Sequence, residues 1–293
     1  KTLIAMAAVA VAGVASAQAT ITGTFGFGVT TTDYASNTST TTLGSTDSTI
    51  TFSASEDLGG GLSMAVSQSI ATGGAEGGSV ANDGGSITFG GGFGSLKFGT
   101  LNASAALGEG NGNGAYTWKH VLNSAAAGGR SYQYGLYTLP AMIPGLGVAI
   151  RVQNMSAATA IDFSDFTATA NGTQLRLNYA TGPVTMAYYV RSNSGEVHGT
   201  VDLGVAKISM GMDTKTSIIG ADKRKEVNVK VPMGGMELAA FYGKKGSITS
   251  TEVGVTYALS KRTSLNATNG SFKNAVQADA LKSSTRVRLT HSF

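Results

Sequence analysis

The sequence predicts an all-β fold, a 16-stranded antiparallel transmembrane β-barrel. Three observations predict it. Apolar and polar residues alternate at period 2 in about sixteen short segments. The connections between those segments alternate between short and long, as they do between the two rims of an outer-membrane barrel. Overall hydropathy is slightly positive although no segment after residue 17 reaches the length of a transmembrane helix. An exported chain that is mildly apolar without long apolar runs crosses a bilayer by closing strands on themselves, because lipid satisfies no backbone polar group.

Composition narrows the class further. Only 13% of the 293 residues are charged, 41 are glycine, and no cysteine is present. The lack of cysteine excludes a disulfide scaffold, a cysteine-ligated zinc site and a thiol nucleophile. The formal charge of +4 becomes +3 (+4 − 1) without Lys1. Basic residues are scattered singly, residues 222–225 being the only dense cluster, so no nucleic-acid surface is indicated.

The N-terminus reads as an export signal. Lys1 is the basic n-region, residues 3–15 form an apolar run of small residues, and Ala15-Ser16-Ala17 is an A-x-A site before Gln18. The run is short for a transmembrane helix; the competing reading is a buried N-terminal helix. The expected organisation is a signal peptide over 1–17 and one barrel over 18–293, placed beyond the inner membrane.

Taken in order, Ile21, Phe25, Phe27 and Val29 share one strand face, with Thr20, Thr22 and Thr24 on the other. A polar Thr/Ser-rich loop is expected over 31–47. Ile50, Phe52 and Ala54 lead through the turn at 56–61 to Leu62, Met64 and Val66. Ile87 and Phe89 turn through glycines 91–94 into Leu96 and Phe98. Tyr132, Tyr134 and Leu136 pass a Pro140/Pro144 turn into Val148, Ile150 and Val152. Leu175, Leu177 and Tyr179 turn at 181–183 into Val184, Met186, Tyr188 and Val190. Val197, Val201 and Leu203 pass Gly204 to Ile208, Met210 and Met212. Val227, Val229 and Val231 turn at 232–235 into Leu238, Ala240 and Tyr242. Val253, Val255 and Tyr257 turn at 259–262 into Leu265 and Ala267, and Val287, Leu289 and Phe293 complete the last strand. Longer polar connections fall near 31–47, 72–85, 102–130, 154–171, 213–223 and 271–283.

The stretch 102–129 stands out as a long connection without regular pattern, of the kind that is usually functional or disordered. It is rich in small residues and carries Tyr116 and Trp118, which suits packing against a wall, so we expect it to fold into the lumen. Two other all-β folds compete. A β-helix requires a short fixed repeat, which is missing. A sandwich buries one face of each strand, yet the faces opposite the apolar stripes carry mid-strand charges, Lys97, Arg151, Arg176, Glu226 and Arg288. A water-filled lumen accommodates them.

The chain resembles the general trimeric porins of Gram-negative outer membranes, particularly the β-proteobacterial type. The segments that carry the likeness are Ser55-Glu56-Asp57-Leu58-Gly59-Gly60-Gly61-Leu62, Tyr257-Ala258-Leu259-Ser260-Lys261-Arg262-Thr263-Ser264-Leu265 and Arg288-Leu289-Thr290-His291-Ser292-Phe293. The resemblance implies a 16-stranded barrel, a homotrimer, and a third external loop folded inward; 102–130 is the third long connection. It implies passive diffusion of small solutes and ions, with outer-membrane lipid, lipopolysaccharide and the barrel insertion machinery as partners and no cofactor. Phe293 looks like the assembly signal read by that machinery. Family members often carry several acids on the third loop, whereas Glu109 is the only one here, beside Lys119 and His120.

A pore selects by diameter and by the charge of its narrowest ring. Lumen-facing parity puts Lys97, Arg151, Arg176, Arg191, Arg286 and Arg288 on the inner wall, with Arg151, Arg176 and Arg288 near mid-height. Glu196, Glu226, Glu237 and Glu252 share that parity but mostly lie nearer strand ends. The expected constriction is Glu109, Lys119, Arg151, Arg176 and Arg288, with a mild anion preference. The competing reading is that the arginines only tie loop to wall through hydrogen bonds. Tyr132, Tyr134, Tyr137, Tyr188, Tyr242, Tyr257, Phe89 and Phe293 are expected mostly to face lipid or the interfaces. Tyr116 and Trp118 either touch solute or anchor the loop.

Catalysis finds no footing. His120, His198 and His291 lie far apart without ligand spacing, no G-x-S-x-G motif occurs, and glycines 108–114 lack the Lys-Ser/Thr of a phosphate loop. Two further functions remain open at this point: a substrate-selective channel on a similar barrel, and a surface adhesin or structural barrel with a plugged lumen.

Overall fold

The computed structural model describes residues 18–72, 80–103, 130–154, 171–191, 195–215, 222–274 and 281–293. The expected leader over 1–17 and nearly all of the long stretch, with Glu109, Tyr116, Trp118, Lys119 and His120, lie outside the described residues. No helix among the described residues is long and apolar enough to cross a membrane. Strands do the crossing.

Their order is β1 (Gln18–Tyr34), β2 (Ser39–Gly59), β3 (Leu62–Thr72), β4 (Val80–Gly91), β5 (Gly94–Ala103), β6 (Arg130–Thr138), β7 (Leu146–Asn154) and β8 (Asn171–Thr181). The second half is β9 (Val184–Val190), β10 (Gly195–Asp202), β11 (Lys207–Lys215), β12 (Arg224–Met233), β13 (Met236–Lys245), β14 (Ile248–Ala258), β15 (Thr263–Lys273) and β16 (Leu281–Ser292). Each strand pairs antiparallel with its chain neighbours, and β1 pairs with β16, so the sheet is a closed barrel. Closure removes the two open edges whose unpaired N–H and C=O groups would each cost several kcal/mol in lipid. At a strand spacing of about 4.8 Å and a tilt of about 40°, sixteen strands make a barrel about 30 Å across.

The short turns, at 60–61, 92–93, 182–183, 203–206, 234–235 and 259–262, all lie on the rim that also holds Gln18 and Phe293. At 203–206 the chain reverses with Leu203 N–H donating to the Ala206 carbonyl at 2.8 Å, and Gly204 takes a φ of +77°, which a side chain would strain. The opposite rim carries the connections around 104–129 and 155–170, and by the asymmetry of such barrels it is the external one. The connection over 104–129 is the third on that rim.

Outward rows form the lipid-facing band. On β13 they read Met236, Leu238, Ala240 and Tyr242; on β16, Val287, Leu289 and His291. Tyr242 stands near the external end of the band and Tyr257 near the other, each close to half exposed, at the depths where aromatic girdles sit.

Two expectations are corrected. The first external connection is only 35–38, closed by Tyr34 N–H to the Thr38 carbonyl at 2.9 Å, and not 31–47. Threonine is β-branched and suits strands, so the polar run extends the hairpin, with Thr31 and Thr41 hydroxyls 3.0 Å apart across it. The second correction concerns β6, whose stripe is inverted. Tyr134 is buried on the inner face and Leu136 lies opposite inward-facing Arg151, while Gly135 and Tyr137 face out. Aromatic and apolar residues occupy both faces of this strand, so apolarity alone does not reveal its parity. Among the other aromatics expected outside, Tyr137, Phe89 and Phe293 are exposed, and the side chain of Tyr132 lies outside the described residues.

The seam between β1 and β16 is tight. Gly23 and Phe293 exchange both backbone hydrogen bonds at 3.0 Å. Further along, Gly28 pairs with Arg288, and a Cβ at position 28 would collide with the Val287 carbonyl oxygen and lie 2.6 Å from Arg288 Cβ. The colliding oxygen is backbone and cannot rotate away. Gly28→Val is therefore expected to destabilise the folded barrel by about 1–3 kcal/mol, as overpacking generally does. A lowered midpoint in urea unfolding, read by the mobility shift between folded and unfolded barrel, checks it.

Candidate functional site

The inner wall is built from every second residue of each strand, and many of its charges gather in three places. Arg151 on β7 and Arg176 on β8 are neighbours on one side. Arg191 follows the last residue of β9 and is buried beside them in the strand order. Arg286 and Arg288 project from β16, which stands eight strands from β8 in a ring of sixteen and so directly across the lumen. Lys97 on β5 lies in one register row with Leu136, Arg151 and Gln174. Arg151 and Arg286 are buried, whereas Lys97, Arg176 and Arg288 are half-buried.

Two tyrosines support the arginines of the β7–β8 wall. The guanidinium carbon of Arg151 sits 4.8 Å from the ring centre of Tyr134, and that of Arg176 sits 4.6 Å from the ring centre of Tyr189. Tyr189 is itself fixed, its hydroxyl donating to Asn178 Oδ1 at 3.3 Å. Stacking of this kind contributes about 0.5–2 kcal/mol and holds a long side chain in one place without itself supplying a counter-charge. The wall thus presents oriented positive charge rather than mobile side chains.

The third gathering is acidic. On β10–β12, Arg224 Nη2 donates to Glu196 Oε2 at 2.9 Å and approaches Asp213 Oδ1 at 3.4 Å, while its Nε lies 3.7 Å from Glu226 Oε2. The Arg224 backbone N–H also donates to Asp213 Oδ2 at 2.8 Å. Three carboxylates thus surround one guanidinium. His198 joins them, its Nε2 3.4 Å from Glu196 Oε1, and both side chains are almost wholly buried. Gly211 makes room for this, since a Cβ there would come within 2.7 Å of His198 Nδ1 and 3.0 Å of Glu226 Oε1.

A closed sixteen-strand barrel about 30 Å across, with alternating lipid-facing and charged inward rows, is the architecture of a diffusion channel. The sequence profile of the Gram-negative porin family matches residues 3–277, nearly the whole chain. The chain belongs to the Gram-negative porin family. As such it is an outer-membrane porin of a Gram-negative bacterium, a water-filled channel for passive diffusion of small hydrophilic solutes and ions.

Solved porin structures share this fold. The anion-selective porin from Comamonas acidovorans superposes with a TM-score of 0.69 at 17% identity, covering 95% of this chain and 100% of that one. A mutant of Rh. blastica porin gives 0.67 at 12% identity over 94% and 100% of the two chains. The trimer form of OmpT from Vibrio cholerae gives 0.64 at 12% identity over 95% and 100%. A search of curated protein sequences finds no match.

In this porin Arg151 and Arg176 stand on one side of the lumen wall and Arg286 and Arg288 on the side facing it, with Lys97 on β5 two strands from Arg151. Glu109 and Lys119 lie outside the described residues. Glu196 and Glu226 were expected on the inner face, and register brings them together through Gly211 and His198. Sequence reasoning missed Arg224, Asp213, His198, Tyr134 and Tyr189 as lumen components. Strand parity holds the signal for Arg224 and Asp213, which share the faces of Glu226 and Ser209; only the cross-strand register shows that they meet.

Proposed function

We propose that this porin is a general diffusion channel with a mild anion preference, that it works as a homotrimer, and that residues 1–17 are its export signal. The observation that carries the charge reading is the opposed pair of basic walls, Arg151 and Arg176 stacked on tyrosines on one side and Arg286 and Arg288 on the other. The acidic gathering on β10–β12 offsets them in part, because its carboxylates spend much of their field on Arg224. The solved porin from Comamonas acidovorans is described as anion-selective, and the Vibrio cholerae structure is a trimer, which supports both parts of the reading. Wall arginines cannot by themselves close a barrel about 30 Å across to a narrow pore. We therefore assign the narrowing to the third external connection, with Glu109 and Lys119 facing Arg151, Arg176 and Arg288. Phe293 is assigned as the assembly signal for the insertion machinery, and outer-membrane lipid and lipopolysaccharide as the surroundings of the band.

Planar-bilayer recording tests this reading. Current steps are expected in triplets and linear with salt concentration, and the reversal potential in a tenfold KCl gradient is expected on the chloride side. A reversal potential on the potassium side overturns the charge reading; single unlinked steps overturn the trimer.

A further inference from the structure

The inner face of β1–β5 differs from the arginine walls. One inward row reads Thr20, Ser53, Ser67 and Ser86 from β1 to β4, each opposite the next in register. The adjoining inward row leads from Ser55 through Ala65 and Thr88 to Lys97 on β5. Every position before Lys97 in these rows holds a short side chain, where the walls described above carry arginine and tyrosine. The volume left unfilled is a cavity of about 360 Å³ lined by both rows. That is the small end of the range for ligand pockets, about 300–1,000 Å³.

The cavity offers hydroxyls that a solute can reach. Ser53, Ser67, Ser86 and Thr88 are half-buried, and Thr20 and Ser55 are exposed. Ser53 and Ser67 hydroxyls lie 3.5 Å apart; among the described residues, those of Ser55, Ser86 and Thr88 have no protein partner. By contrast, the inward hydroxyls of Thr200, Ser209, Ser250, Thr268 and Ser284 are all buried.

Lys97 supplies the charge. It is half-buried, and among the described residues no carboxylate pairs with it. Asp57, one inward step from Ser55, lies three strands from β5 and accepts instead from the Gly59 N–H at 2.9 Å. Arg151 stands in the row of Lys97 two strands on and adds to the positive potential without lining the cavity. From Lys97 to the strand of Ser67 is two strand spacings, about 10 Å, so one small solute can touch both.

We propose that this cavity holds a sugar acid in transit, a polyhydroxylated carboxylate, with Lys97 on its carboxylate and Ser67, Ser86 and Thr88 on its hydroxyls. The inference rests on the diffusion-channel reading and deepens it by naming a class of solute and the side of the lumen it follows. A Ser or Thr hydroxyl donates once and accepts twice, as a sugar hydroxyl does, so solute replaces water with no group left unpaired. A neutral sugar leaves Lys97 unused, and a simple carboxylate leaves the hydroxyls unused. A sugar acid uses both. Exchanging water for solute on half-open hydroxyls gains little, and such weak holding is what lets a solute leave again.

The test uses the full barrel in a planar bilayer in KCl, with gluconate, glucose or acetate added and the loss of current titrated. Gluconate is expected to reduce wild-type current at concentrations about fivefold below those of glucose or acetate, the ratio that one net hydrogen bond supplies. K97Q is expected to bring gluconate to the level of glucose, and S55A/S86A/T88V to bring it to the level of acetate. The mobility shift between folded and unfolded barrel reports that each variant has folded. The inference is overturned if gluconate and acetate reduce wild-type current alike, or if folded K97Q keeps the gluconate preference. A folded wild-type barrel that carries no KCl current overturns the channel reading with it; KCl current without a gluconate preference overturns this inference alone.

Discussion

Arg224→Ala is expected to lower the stability of the barrel by about 3–5 kcal/mol, the cost of removing one partner from a buried charge cluster. The variant leaves Glu196, Asp213 and Glu226 facing one another without the guanidinium that now lies 2.9–3.7 Å from all three. Glu196 is the worst placed, being 0% exposed, and its remaining neighbour is His198 at 3.4 Å. Unfolding in urea, followed by loss of the compact electrophoretic form, measures the effect. Arg224→Lys separates charge from geometry, because an ammonium keeps the charge but cannot reach three carboxylates with one planar fork. A loss below about 1 kcal/mol for the alanine variant is the value of an exposed pair. That result would mean water reaches the carboxylates and the cluster adds little to stability.

Replacing Arg151 and Arg176 together by glutamine is expected to shift permeability toward cations by about fivefold at low salt. A unit charge about 8 Å from a passing ion in water contributes about 0.5 kcal/mol, so two contribute about 1 kcal/mol. The shift should shrink sharply in 1 M salt, where the screening length is about 3 Å. Reversal potentials at the two salt concentrations measure it. An unchanged ratio at low salt would mean that these arginines tie the wall together instead of setting its field. Arg286 and Arg288 on the facing wall then become the residues to replace.

The barrel was legible in the sequence because its signal repeats. Each strand carries a period-2 pattern, and sixteen weak patterns in alternating connection lengths constrain one another more than any one of them does. The failures occurred where that redundancy is lost. The threonine run after Val29 is polar enough for a loop and β-branched enough for a strand, and cross-strand hydroxyl pairs decided for the strand. On β6, Tyr134 turned inward because Arg151 needs a ring to lie on, a requirement set two strands' faces at a time. Parity could assign Arg151, Arg176, Arg286 and Arg288 to a face, but which of them stand opposite depends on the number of strands between them. The cluster around Arg224 was illegible for a related reason. Its members come from three strands, and a glycine at 211 is what lets His198 and Glu226 approach.

The seam between β1 and β16 also has a consequence in time. Thr24 and Ser292, whose hydroxyls lie 3.4 Å apart across it, are separated by 268 residues of chain. Every other junction joins strands that follow one another, so those hairpins can form locally and early. The β1–β16 junction cannot form until residue 293 is available to Gly23. Bringing the ends of a flexible chain that long together costs about 5 kcal/mol of chain entropy, a cost that hairpins formed beforehand lower by ordering the chain between them. Until then two strand edges stay open, so the chain must be kept from pairing with other chains for as long as its own two ends remain apart.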